Sequence, residues 1–422
     1  MFYTKLYAHD GGKMEKKRII FHVDVNSAFL SWECAEQLKR DPNFIDLRQL
    51  PSAIGGDKNS RHGIILAKST KAKQLGIVTG EPIVSALKKC PSLVIVPPNF
   101  QVYTKYSESL INLLLEYTDK LQQFSIDEAF LDMTETCHLF GEPLEVANQI
   151  RTRVQKELGF TVNIGVSTNK LLAKMASDFK KPNLCHSLYP QEIKEKMWPL
   201  PVDELFFVGR SAQKKVEALG IRTIKDLATM DLSILKSHLG TKYGELIYRY
   251  ANGIDDEEVK TEEGPNKGYG NSITLFKDIT DLNLANHVLL ALSETVSSNL
   301  RNANVKCNCI TVEWKDYDFV TRSHQTTLES PVNTTNQIYE TACKLLKEGW
   351  DMTPLRLLGI RATKLNTDDY CQLSLFHTEK DEKLEKLDLA IDKIRNKFGT
   401  DSIKRASFLT DSAICKHHLG KK

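Results

Sequence analysis

The sequence predicts a multidomain α+β protein, on three observations. Its 422 residues exceed what one ordinary core organises and point to two to four domains. Stretches of two-residue apolar alternation are interleaved with stretches of helical spacing. The first half reads β, α, β, β, α, β with a long insert, the order of a ferredoxin-like sheet with helices on one face. Such a sheet leaves its other face free for a site.

The elements justify this in order. Ile19 to Asn26 reads as a strand, with His22, Asp24 and Asn26 on one face and Phe21, Val23 and Val25 on the other. "SAFLSWECAEQLKR" reads as a helix, and the Gly- and Lys-rich stretch from Ala53 to Pro91 as a small subdomain. Tyr106, Leu110, Leu113, Leu114 and Tyr117 give helical spacing over Tyr103 to Tyr117. Strands follow at Leu121–Ser125 and Ala129–Met133, a helix from about Glu145 to Leu158, the strand "FTVNIGVS" and the helix "TNKLLAKMASDFKKP", stopped near Pro182. Met197 to Gly253 is helical and broken by glycines; Asp255 to Asn271 is charged, Gly/Pro-bearing and linker-like. A second α+β domain runs from "NSITLF" to "LRLLGIRATKL", followed by "CQLSLF" and a charged helix from about Glu382 to Phe398. On that helix Leu384, Leu387, Ile391, Ile394 and Phe398 form an apolar stripe expected to pack on the body or on a partner.

Composition narrows the function classes. The chain is 41% hydrophobic and 26% charged, ordinary for a globular protein, and its apolar runs are too short to span a bilayer. "MFYTKLYAHDGGK" has no signal-peptide core and reads as a short extension, so a cytoplasmic protein is expected. Net charge is +3, which neither announces nor excludes a nucleic-acid partner. Nine scattered Cys residues suggest a reducing compartment without a disulfide framework or zinc knuckle.

Two apolar stretches carry acids that a buried strand normally excludes: Asp24 in "FHVDVNSAF", and Asp127 with Glu128 in "SIDEAFLDMT". Neighbours on an ideal strand face opposite ways, but at a hairpin turn both Asp127 and Glu128 can reach one point. Three converging carboxylates would raise one another's pKa unless cations were present, and hard oxygen ligands suit Mg²⁺. Taken singly, each acid is more readily read as a turn or cap residue than as a ligand.

"FHVDVNSAF", "IGGD", "GIILAKSTKAKQLGI", "SIDEAFLDMT" and "NIGVSTNKLLAKMASDFKKP", in this order and at these spacings, resemble the Y-family translesion DNA polymerases of the DinB/UmuC type. The resemblance spans Ile19 through Phe376, and Asn26 in "DVN" looks more like the UmuC-like branch. It implies a multidomain polymerase hand. The ferredoxin-like palm would be 19–31 and 87–187, the small fingers 32–86 and the helical thumb 188–253. An N-terminal extension would be 1–18, a linker 254–268, a separate α+β little finger domain 269–365 and a tail 366–422. By resemblance Asp24, Asp127 and Glu128 are catalytic. With the Val25 carbonyl they would bind two Mg²⁺ ions, replaceable by Mn²⁺, for nucleotidyl transfer from a dNTP to a primer 3′-hydroxyl.

The same resemblance makes Phe29 a steric gate against ribonucleotides. It assigns triphosphate contacts to Lys174 and to the fingers positions Thr70 and Lys73, where DinB-type enzymes carry Tyr and Arg. Backbone amides of Asn26, Ser27 and Ala28, at a strand-to-helix turn, are placed to hold triphosphate oxygens. "FFVGRSAQKKVEALGI" resembles a helix-hairpin-helix in which Phe207 stands in place of the first Gly, which weakens the grip on DNA phosphate. Lys277, Arg301, Arg322, Arg356 and Arg361 would contact the backbone of primed template DNA. Gln372, Leu373, Leu375 and Phe376 in "QLSLF" resemble the bacterial sliding-clamp peptide; an accessory subunit is a further possible partner. SOS-linked repair by a low-fidelity enzyme at the nucleoid is the implied setting. Two alternatives stay open: a catalytically weak DNA- and clamp-binding regulator, and a palm-like nucleotide cyclase.

Overall fold

The structure, a computed structural model, describes residues 17–56, 63–262, 264–367 and 379–408, with side chains from Lys383 in the last stretch. They form two compact units, one ending at residue 262 and the other running from Gly264.

In the first unit β1 (Ile20–Val25) leads into α1 (Ala28–Arg40). Then come β2 (Ser52–Gly55), β3 (Ile65–Lys68), α2 (Thr70–Gln74), α3 (Ile83–Lys89) and β4 (Val94–Val96). After α4 (Phe100–Leu115) follow β5 (Leu121–Gln123), β6 (Glu128–Asp132), α5 (Pro143–Arg153), β7 (Val162–Ser167), α6 (Lys170–Asp178) and β8 (Cys185–Ser187). Four helices close the unit: α7 (Arg210–Glu217), α8 (Ile224–Thr229), α9 (Leu232–Leu239) and α10 (Thr241–Ala251).

The main sheet has the order β5-β6-β1-β7-β8, with β1 antiparallel to both neighbours. The alternation in β1 works as expected: Phe21, Val23 and Val25 join one core with Trp32 of α1, Tyr103 and Leu110 of α4, and Ile150 of α5. The other face is not left free. There Ile20 packs with Phe130 and with Ala173 of α6. Gly165 on β7 permits this approach, because a Cβ at that position would stand 1.8 Å from the Ala173 carbonyl oxygen. The Asn163 side chain fixes the end of α6, donating to Ser177 O at 3.1 Å and to Lys180 O at 2.7 Å.

A three-stranded sheet, β3-β2-β4, forms the insert, and its last strand lies beyond residue 86. In the helical segment Phe207 adopts φ 72°, so it takes the left-handed backbone that a hairpin glycine would favour. Its carbonyl accepts from the Tyr243 hydroxyl at 2.8 Å. The start of the linker-like stretch is fastened to this unit: Leu171 N donates to Asp255, and Lys170 pairs with Glu257 at 3.0 Å.

The second unit holds β9 (Gly268–Ile279), α11 (Leu282–Asn302), β10 (Lys306–Asp316), β11 (Thr321–Val332), α12 (Thr335–Gly349), β12 (Leu355–Asn366) and α13 (Glu379–Phe398). Its antiparallel sheet runs β11-β10-β12-β9, and α11 and α12 bury Val288, Leu292, Val296, Ile338 and Leu346 against Ile310, Val312 and Leu358.

Two expectations fail here for one reason. The apolar stripe of α13 does not dock: Leu387 is 52% exposed and Phe398 67%. The helix is held by its charged face instead. Arg301 donates to Asp392 at 2.6 Å, to Asp388 at 3.1 Å and to Asn333 O at 2.8 Å. Glu294 pairs with Arg395 at 3.0 Å and Arg405 at 2.6 Å. Arg301 is therefore buried in α11 and not offered to DNA. Of the other cations named for DNA, three are ion-paired: Arg356 with Asp278, Arg322 with Asp316 and Arg361 with Glu313.

The Gly165 contact makes a direct prediction. Gly165→Ala forces α6 off the sheet and is expected to cost about 3 kcal/mol or more, read as a lower urea midpoint. An unchanged midpoint would refute the packing account.

Candidate active site

Asp24, near the end of β1, lies opposite Glu128, the first residue of β6, in the antiparallel register. Val25 N–H donates to the Asp127 carbonyl at 3.1 Å, which sets Asp127 beside them. The local sequence builds this corner. Phe124 and Ser125 both donate backbone N–H to Glu128 O, and the Ser125 hydroxyl donates to Asp127 Oδ1 at 2.6 Å. Asp127 thus sits in a turn and Glu128 in a strand, which relaxes the opposite-face rule for neighbours.

The three backbones meet, but the carboxylates do not converge. Among the described residues no group of three or more His, Cys, Asp or Glu side chains is gathered as a metal cluster. Each acid is held by a neighbour: Asp24 by the Lys181 ammonium, and Glu128 by Lys174, whose Nζ stands 3.1 Å from both carboxylate oxygens. The donor set still fits a hard divalent ion in kind, since it offers oxygens alone and ammonium groups are already drawn to it.

The electrostatics differ between the two acids. Burial pushes Asp24 up to about 6, with Lys181 opposing. Burial also acts upward on Glu128, but His22 and Lys174 override it and hold the carboxyl at about 2. His22 is fully buried, and burial pulls its pKa below the ordinary value. Its Nδ1 lies 2.8 Å from Ser177 Oγ, which donates its own proton to Lys174 O. Nε2 faces Glu128 Oε2 at 3.5 Å and has no hydrogen-bond partner.

Beside this corner opens a cleft of about 350 Å³. Residues 24–29 form one wall, residues 66–70 with Lys73 and Thr79 another, and Asp127, Lys181 and Pro182 the rest. Phe29 stacks on Tyr103 with centroids 4.5 Å apart and planes 7° off parallel, while Phe100 meets it edge-on. Thr70 and Lys73 line the cleft.

Two expected contacts are changed. Lys174 does not line the cleft, because its ammonium is committed to Glu128. Lys181, which sequence reasoning passed over, stands there instead; the signal was the Lys-Lys-Pro just past the helix. The Asn26 amide is not free either, since it donates to Thr161 O at 3.0 Å. Its side-chain oxygen accepts from Thr161 Oγ1 and from Asn183 N, which ties β1 to the segment after Lys181. Ser27 and Ala28 remain at the first turn of α1, where helix amides lack intrahelical partners. Lys68 was also missed; burial, aided by Lys73, lowers its pKa, and its Nζ donates to Thr79 at 2.9 Å. Gln372, Leu373, Leu375 and Phe376 lie outside the described residues.

Comparison with known proteins finds similarity over most of the chain. Residues 23–178 match the impB/mucB/samB family, 266–375 its C-terminal domain, and 203–255 the DNA polymerase-iota thumb domain. DNA polymerase IV of Clostridium acetobutylicum is 45% identical over 392 residues, covering 93% of this chain and 98% of that one. DNA polymerase IV 1 of Bacillus subtilis is 38% identical, over 93% of this chain and 94% of its own. A solved Y-family DNA polymerase chimera of Dbh and Dpo4 superposes with TM-score 0.72 at 25% identity, over 83% of this chain and all of that one.

Asp24 makes stability depend on pH. Its folded-state pKa, about 6, exceeds its ordinary 3.8, so the folded state is increasingly disfavoured as pH rises through this window. Above it the penalty approaches about 3 kcal/mol. In EDTA, Asp24→Asn should melt several degrees above wild type at pH 8 and with it at pH 4. An equal offset at both pH values would contradict the burial account.

Proposed function

Because the chain belongs to the Y-family DNA polymerases, of the DinB type that its DNA polymerase IV relatives represent, we propose that the Asp24–Glu128 corner joins a deoxynucleoside triphosphate to a primer 3′-hydroxyl. The chain is a template-directed DNA polymerase of the translesion kind. These relatives do not support the UmuC-like branch suggested by Asn26, and the catalytically weak regulator is not favoured. The observation that carries the site is the pairing of Asp24 with Glu128 beside Asp127, at the mouth of a cleft lined by Lys68, Lys73 and Lys181.

Asp24, Asp127 and Glu128, with the Val25 carbonyl, would hold two divalent ions, Mg²⁺ with Mn²⁺ as substitute. These supply charge neutralisation at phosphorus and acidify the primer hydroxyl. The protein's own share is positioning. Lys73 and Lys181 draw the triphosphate into the cleft, and the Ser27 and Ala28 amides receive its oxygens. Phe29, backed by Tyr103, closes the space that a ribose 2′-hydroxyl would need. An open site with few groups around the base pair would discriminate little between correct and incorrect transition states, so fidelity would be low.

In this reading 19–31 with 87–187 is palm, except that β4 completes the sheet of the 32–86 fingers, 188–253 is thumb, 254–268 linker and 269–365 little finger. The 1–18 extension and the 366–422 tail flank them. Primed template DNA is the polymeric substrate. Gln372 to Phe376 would dock the sliding clamp, an accessory subunit remains a further partner, and SOS-linked repair at the nucleoid is the setting.

Primer extension with Mg²⁺ and four dNTPs, on undamaged template and opposite an abasic site, tests the reading. Wild type should extend slowly and distributively, and Asp127→Asn/Glu128→Gln should not extend at all. Lys181→Ala should raise the dNTP KM by about tenfold or more, the worth of one charge-assisted hydrogen bond. Undiminished extension by the double variant would sink the assignment of the acids.

A further inference from the structure

Lys174 and Lys181 occupy the carboxylates that divalent ions would have to take. When Glu128 and Asp24 turn to an ion, two ammonium groups lose their counter-charges beside an incoming dication. Lys174 has little access to water, its side chain being 11% exposed. Some group must receive these lysines, or metal loading is opposed.

Asp178 is built for that. Its Oδ1 lies 2.8 Å from Lys181 Nζ and its Oδ2 lies 4.0 Å from Lys174 Nζ, so one carboxylate addresses both lysines with separate oxygens. Local helix energetics do not explain an acid here. Asp178 is the last residue of α6, where a negative charge opposes the helix dipole. It also follows Lys174 by four residues, the less favourable order for a helical ion pair. The side chain is half exposed, so it can turn without breaking a core.

We propose that Asp178 is a positioning residue that receives Lys174 and Lys181 when divalent ions draw Glu128 and Asp24 away. This rests on the reading of Asp24, Asp127 and Glu128 as the ion ligands. Asp178 ligates no ion itself; it keeps the lysines off the ligands and holds Lys181 at the cleft wall until a triphosphate takes it.

The test is Mn²⁺ binding to the full chain, without DNA or nucleotide, followed by the paramagnetic resonance signal of free Mn²⁺. Asp178→Asn should weaken binding by about five- to tenfold, and Asp178→Glu should restore it to within about twofold. Lys174→Met/Lys181→Met should tighten binding, and adding Asp178→Asn to that pair should then change it by less than about twofold. An equal loss with and without the lysines would mean plain long-range attraction and would overturn the proposal. So would unchanged binding in Asp178→Asn, provided Asp127→Asn/Glu128→Gln abolishes it. Binding untouched by that last double variant would instead remove the ligand assignment, and the role of Asp178 with it. Melting curves on every variant separate these outcomes from failure to fold.

Discussion

The first unit is organised around one electrostatic constraint: carboxylates stand at the end of a nearly buried sheet and must be neutralised there. Desolvation disfavours the charged forms of Asp24 and Glu128, and for Asp24 it prevails, with a pKa pushed up to about 6. The molecule answers with cations brought from one side, Lys174 from within α6 and Lys181 from just beyond it. That requires α6 against the sheet, which requires a glycine at 165 and the Asn163 amide at the helix end. It also requires the chain after Lys181 to return to β1, which the Asn26 side chain secures. Packing, capping and charge thus converge on one corner. Below it, His22 is buried and tied through Ser177 to the backbone of Lys174, so the floor of the site is fixed as well.

Much of this was legible in the sequence, and the failures follow a pattern. Alternation identified the two faces of β1, because a strand's period is set by its own backbone. The turn placement of Asp127 followed from the clash between adjacent acids and a shared target. The sheet face opposite α4 and α5 was misjudged, because Gly165 signals a close approach without saying what approaches. Lys174 and Lys181 exchanged roles for a similar reason. A helical position predicts which neighbours on the helix a lysine meets, but not which strand residue lies beneath it.

The second unit shows the limit more sharply. An apolar stripe normally marks the buried side of a helix, yet α13 turns Asp388, Asp392 and Arg395 inward. The reason is Arg301, a buried guanidinium that takes its counter-charges from this helix. Leaving it unpaired would cost several kcal/mol, about as much as burying two aliphatic side chains contributes. Phe207 is a smaller case of the same kind: the motif predicts glycine, and the left-handed backbone is kept with an aromatic supported by Tyr243.

The manner in which α13 is attached bears on how this chain can diverge. An apolar contact tolerates stepwise change, since one methyl group can be lost here and regained there. Arg301, Asp388 and Asp392 have no such gradual route. They come from segments 87 and 91 residues apart, and changing any one strands a buried charge on another. In descent from a common ancestor the trio should persist or vanish as a set, and an alignment of relatives would show these columns changing together, while the exposed leucines of the same helix drift independently.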